Sequence, residues 1–235
     1  MAFSEGLVSV IAFLSYDRRN RVFTMPLRLA VFSSHYAGLA VTDRLLSEAD
    51  DRWEVCMIAS DDPFNKICNP GNRVWQYGNE RDWLPSKMKQ LAARHGLEVE
   101  FGSINSGEFL AQVFEKKIGA IQMCIFGQKV RSRLRNAVQN QVWNIHPTSL
   151  RPWPSCIGTS PFEQMIGTEK EFRMMLHVAD ETMDQGPEVM ASPAAPIETG
   201  DEIMELHRRA APIAAQLAVD HLNVIAQNVK LQSQQ

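Results

Sequence analysis

Asn144 and His146 stand one residue apart, directly before Pro147, in the stretch "VWNIHPTSLRPW" (residues 142–153). Side chains alternate along an extended segment, so 144 and 146 project from one face and Trp143 and Ile145 from the other. An amide NH2 and an imidazole N–H aimed together can both donate to one oxygen, the arrangement that stabilises a tetrahedral oxyanion in acyl transfer. Such an imidazole needs a carboxylate to orient it and favour its charged form. The later turn "DETMDQGP" (180–187) holds Asp180, Glu181 and Asp184, and Gly186 lets it bend back towards a neighbouring strand. Each signal alone has an ordinary explanation: a strand-end His is usually structural, Asn before a turn is commonly a backbone cap, and an acidic turn is usually solvated. Their combination, in this order, points to acyl chemistry.

The elements that must position these groups read as alternating strands and helices. "LRLAVF" from Leu27 predicts a buried strand, "AGLAVTDRLLSEAD" an amphipathic helix, and "WEVCMIAS" a second strand. A long loop from Asp61 to about Asp82 follows, then a helix over 84–96 with Pro85 in its first turn and Gly96 as its stop. "LEVEFG", a helix over 106–116, the apolar run "IGAIQMCIFG", a helix over 130–138 and the motif strand complete the series. This rhythm predicts an α/β, doubly wound, mostly parallel sheet, Rossmann-like, with the motif at the carboxyl ends of the strands where ligands bind. Beyond it, "EFRMMLHVAD" and "EVMASPAAPI" predict two further strands. A C-terminal helix starts at Asp201, where Pro212 should kink or split it. Residues 1–25 read as an N-terminal extension, with Met25 an alternative start, 26–230 as the catalytic domain and 231–235 as a tail.

Composition sets the class. The 235 residues are 45% apolar and 22% charged, with net charge −3, and the basic residues are dispersed, which disfavours nucleic acid as a partner. No apolar run reaches the roughly 18 residues of a spanning helix, so no membrane segment is expected. Cys56, Cys68, Cys124 and Cys156 form no CxxC pair, which suggests reduced thiols and a cytoplasmic location. The histidines show no metal-ligand spacing and no GxGxxG follows the first strand, so neither a metal nor a dinucleotide is expected.

"NIHPTSL", followed by "SPFEQMIG" and "LHVADETMDQGPEV", resembles the catalytic core of the folate-dependent formyltransferases, which include glycinamide ribonucleotide and methionyl-tRNA formyltransferases; the resemblance covers roughly residues 27–225. It implies that Asn144, His146 and Asp184 are catalytic and that the formyl donor is 10-formyltetrahydrofolate. It further implies that the pterin lies between "FGQKV" (Phe126, Gly127, Gln128, Lys129, Val130) and the segment Val178, Ala179, Asp180 leading to Asp184, held largely by backbone groups.

Two departures concern the acceptor. "HPTSLRPWPSCIG" is longer than the family's usual rim, with Gly158 as its nearest equivalent of the family glycine. The first turn, "SSHYAG", lacks the Gly-rich phosphate cradle of the purine-pathway members. An acceptor without a phosphate there is expected, such as an amino-acid-derived hydroxylamine like the hydroxyornithine of siderophore biosynthesis, or else an amino sugar nucleotide. Ser33, Ser34 and His35 are either plain helix-start residues or acceptor contacts, and Trp75 and Tyr77 in the long loop either shape an acceptor pocket or pin the loop. The rival readings are a formyltetrahydrofolate hydrolase, with water as acceptor, and a nucleotide-binding module without transfer activity.

Overall fold

The structure, a computed structural model, describes residues 14–16, 22–24, 26–61, 80–158 and 160–232. Within the stretch expected as an extension, β1 (Leu14–Tyr16) and β2 (Val22–Thr24) pair antiparallel in a ribbon of their own. The main sheet comprises β3 (Leu27–Ser33), β4 (Trp53–Ala59), β5 (Val99–Glu100), β6 (Ala120–Cys124), β7 (Val142–Ser149), β8 (Glu171–Val178), β9 (Glu188–Ala191) and β10 (Ala195–Pro196). Its order is β10-β8-β7-β6-β3-β4-β5, with β9 also pairing β8. The five strands β3 to β7 run parallel and β8 to β10 are antiparallel additions, a mostly parallel mixed sheet as the alternating apolar runs predict.

Period-two alternation gives each central strand two buried faces. Leu29 and Val31 of β3, with Trp143 and Ile145 of β7, pack beneath α1 (His35–Ser47), α5 (Pro161–Met165) and α6 (Ile203–Gln232). Ala30, Phe32, Ile121, Met123 and Val142 face the other layer, α3 (Gly107–Glu115) and α4 (Ser132–Ala137). The remaining helix, α2 (Glu80–Arg94), lies with α1 against Ile58 of β4. Helix α3 starts where Ser106 accepts the amide hydrogen of Phe109 at 3.1 Å, an N-cap with the serine that favours it.

Four expectations change. Helix α2 begins at Glu80, which moves Pro85 from the first turn to the helix interior. "EVMASPAAPI" forms two short strands, because β9 and β10 both lie along β8, separated by Ser192, Pro193 and Ala194. Helix α6 continues through Pro212, an exposed position flanked by buried Ala211, Ala214 and Ala215, so packing on the core side holds the two turns together. Strand β7 does not end before Pro147 but runs to Ser149, paired with β8 throughout.

Candidate functional site

The continuation of β7 explains how the site opens. The carbonyl of Val142 bonds towards β8, through Ala179 N at 2.9 Å, while that of Gln141 bonds towards β6, through Ile121 N at 2.8 Å. Odd-numbered residues of β7 therefore direct their backbone groups at β6. Strand β6 stops at Cys124, opposite Ile145, and the chain turns away at Ile125, whose φ of +49° is unusual for a β-branched residue. Pro147, which has no N–H to offer, falls on the side β6 has vacated. The gap beside Asn144 and His146 is the start of a cleft.

Three side chains meet there. Asn144 Nδ2 donates to Asp184 Oδ1 at 3.2 Å, and His146 Nδ1 lies 3.6 Å from the same oxygen, an ion-pair distance. The other ring nitrogen of His146 lies 2.9 Å from the Cys156 carbonyl. Asp184 sits at φ +52°, a left-handed conformation Asp tolerates, and its Oδ2 accepts the Gly158 amide at 3.2 Å. Gly186 cannot be anything else: a Cβ there would lie 1.9 Å from the Val178 carbonyl oxygen. The close approach folds the acidic turn onto the end of β8 and so delivers Asp184.

His177 completes the constellation. Register pairs it with Asn144 across β7 and β8, and its Nε2 lies 3.1 Å from Asn144 Nδ2, with its Nδ1 2.9 Å from the Val178 carbonyl. One tautomer satisfies both contacts: Nδ1–H donates to the carbonyl and Nε2 accepts from the amide. Burial pushes the His177 pKa down, which keeps this neutral form. Trp153 lies 5.0 Å from the His177 ring, and its Nε1 donates to the Gly186 carbonyl at 2.8 Å, so the altered rim braces the acidic turn.

The cleft has a volume of about 860 Å³, counting its open mouth. Asn144, His146, His177 and Asp184 line it, as do Phe126, Gly127, Gln128, Lys129, Val130, Ala179 and Asp180; Val178 is not part of its wall. Several of these side chains are spent on holding the walls. Gln128 bonds Gly102 O and Ile104 N, both at 3.1 Å. Lys129 donates to the Glu181 carbonyl, and Arg135 pairs with the Glu181 carboxylate at 2.7 Å, which ties the two loops across the cleft. Gly127 N donates to buried Asp61 at 2.7 Å, and Asp61 also accepts from Ser34 Oγ at 2.9 Å. A bound planar molecule would meet mainly backbone groups and apolar surface.

The first turn is interior. Ser33 Oγ lies 2.6 Å from Thr42 Oγ1, Ser34 is engaged by Asp61, and both are fully buried. His35 is also buried, at φ +62°; burial first, then the Arg208 charge, lowers its pKa to about 3. Its ring meets His207 of α6 at 4.6 Å, and His207 lines the cleft, a contribution no sequence signal marked. Trp75 and Tyr77 lie outside the described residues. Cys56, Cys124 and Cys156 are free thiols. Among the described residues no His, Cys, Asp and Glu group could hold a metal, and no helix is long and apolar enough to cross a membrane.

Where the neighbouring strand β6 stops short, this mixed sheet exposes an Asn, a His and a folded-in Asp, a set of groups able to donate to a developing oxyanion and to carry a proton. No protein-family model matches the chain. It is 28% identical over 146 residues to the methionyl-tRNA formyltransferase of Halorhodospira halophila, covering 62% of this chain and 46% of that protein. The Halothermothrix orenii enzyme of the same name is 29% identical over 147 residues, 62% of this chain and 45% of that one. The chain thus spans less than half the length of these relatives. The fold matches glycinamide ribonucleotide transformylase 1 from Symbiobacterium toebii (TM-score 0.64, 17% identity, 86% and 89% of the two chains). It also matches formyltetrahydrofolate deformylase from Burkholderia mallei (TM-score 0.63, 14% identity, 88% and 68%). Sequence and fold together relate the chain to the folate-dependent formyltransferase family.

Proposed function

We propose that the chain transfers the formyl group of 10-formyltetrahydrofolate to the amine of a small acceptor, with residues 26–230 as the catalytic unit, 1–25 as an extension and 231–235 as a tail. The observation that carries this reading is the meeting of Asn144 Nδ2 and His146 Nδ1 on Asp184 Oδ1, at 3.2 and 3.6 Å, in the wall of the cleft. The amine nitrogen attacks the formyl carbon, and the carbonyl oxygen becomes an oxyanion held by the Asn144 amide and the His146 imidazole. Asp184 orients His146 and accepts the proton of the new ammonium, then returns it to N10 of the folate as the C–N10 bond breaks. The carbonyl reforms, releasing the N-formyl product and tetrahydrofolate. Phe126 to Val130, with Ala179 and Asp180, hold the pterin, chiefly by backbone groups, while Val178 lies behind the wall. The reaction belongs in the cytoplasm, where the free cysteines stay reduced.

Gly38 bears on the acceptor. Its missing Cβ would lie 2.9 Å from Ser33 backbone and side-chain atoms, so this glycine serves helix–strand packing and not a phosphate cradle. That supports an amino-acid-derived hydroxylamine such as hydroxyornithine, with an amino sugar nucleotide as the second choice.

The purified protein is to be incubated with 10-formyltetrahydrofolate and hydroxyornithine, an amino sugar nucleotide, glycinamide ribonucleotide or methionyl-tRNA, following tetrahydrofolate release. One amine should accelerate release, and Asn144→Ala or Asp184→Asn should slow it about a hundredfold to a thousandfold. If no amine accelerates release and both variants behave as wild type, the proposal fails. Steady release without amine would make water the acceptor and the protein a hydrolase.

A further inference from the structure

The two walls of the cleft belong to different layers of the fold. Phe126, Val130 and Ala179 pack with the α3 and α4 layer, whereas Ile125 packs with the α1, α5 and α6 layer, to which His207 belongs through its helix. Asn144, His146 and Asp184 lie between. If one wall takes the folate, the other faces the acceptor.

His207 is the polar group of α6 on that second wall. It is 4% exposed and lines the cleft, its Nδ1 has no hydrogen-bonding partner among the described residues, and Phe162 packs edge-on at 4.8 Å. Nδ1 is sealed inside, which leaves Nε2 as the nitrogen a bound molecule can reach. Burial, reinforced by the neighbouring His35, drives the His207 pKa well down, so the ring stays uncharged. A neutral imidazole offers one hydrogen bond and no charge, a poor seat for a phosphate or carboxylate.

We propose that Nε2 of His207 hydrogen-bonds an uncharged hydroxyl or amide group of the acceptor, such as the N-hydroxyl of a hydroxylamine, and disfavours an anionic group at that one position. This rests on the formyl-transfer reading above.

The test compares ethanolamine, phosphoethanolamine and propylamine as acceptors for the full-length protein, measuring kcat/KM for each with 10-formyltetrahydrofolate. Wild type should prefer ethanolamine. His207→Phe, which keeps the packing on Phe162, should lower kcat/KM for ethanolamine about tenfold and leave propylamine unchanged, while His207→Gln should retain much of the preference. A wild-type preference for phosphoethanolamine, or variants that affect all three amines equally or none, overturns the assignment to His207 while leaving formyl transfer intact. Absence of transfer to every amine, including those of the previous test, removes both.

Discussion

At the scale of single residues, the site is a matter of matching donors to acceptors. The Asn144 amide has two hydrogens and two acceptors, His177 Nε2 at 3.1 Å and Asp184 Oδ1 at 3.2 Å. Both contacts fix the amide plane; the hydrogen directed at Asp184 is the one an oxyanion takes up, while the His177 contact keeps the plane in place. His177 touches no reacting atom in this scheme; it is a positioning residue. His177→Phe should lower kcat about tenfold with KM for the folate donor little changed, because the amide loses one of its two anchors. His177→Gln, which offers an amide oxygen as replacement acceptor, should recover part of the loss. Steady-state tetrahydrofolate release measures both, and a fully active His177→Phe would show that Asp184 alone suffices.

At the scale of elements, the acidic turn after β8 depends on one contact. The missing Cβ of Gly186 would sit 1.9 Å from a backbone oxygen of Val178, which has no freedom to swing aside as a flexible side chain would. Gly186→Ala should push the turn outwards and withdraw Asp184 from His146, with formyl release falling at least tenfold and stability by about 1–3 kcal/mol, read from urea unfolding. An alanine variant of normal activity would mean that the turn tolerates displacement. Sequence reasoning reached this turn because Gly and Asp carry local signals, and it placed Asn144 and His146 on one face because period-two alternation is a local property. It missed His177 because only the β7–β8 register, set by pairing over thirty residues of sequence, brings that ring to Asn144. It ended β7 at Pro147 for the same reason: a proline reads as a stop until the neighbouring strand is known to have ended first. The continuity of α6 through Pro212 was likewise decided by packing on the core side, which local propensity does not contain.

At the scale of the whole molecule, four histidines are folded into the interior as neutral groups. Burial lowers His35 to about 3 and His221 to about 4, and it also lowers His177 and His207. In the unfolded chain each would titrate near 6.5. As pH falls below that value the unfolded state takes up protons that the folded state refuses, so stability declines through this window and levels only once the folded values are reached. His35 and His221 are still neutral in the folded state at about pH 5, where each has withdrawn roughly 2 kcal/mol relative to neutral pH. Asp201, held low by its hydrogen bonds to Arg209, titrates beneath the window and does not oppose the trend. The urea midpoint should therefore drop clearly between about pH 7 and about pH 5. His221 rests its ring edge-on against Trp143 at 4.5 Å, remote from the acidic turn in sequence, so His221→Phe keeps an aromatic contact while removing one titrating group. The variant should lose less stability over the same interval than wild type, by roughly the 2 kcal/mol of one buried imidazole, with formyl transfer at neutral pH unaffected. A midpoint that is flat with pH in wild type, or an equally steep decline in His221→Phe, would mean that these imidazoles gain protons in the folded state and that the interior around α6 is wetter than its packing implies.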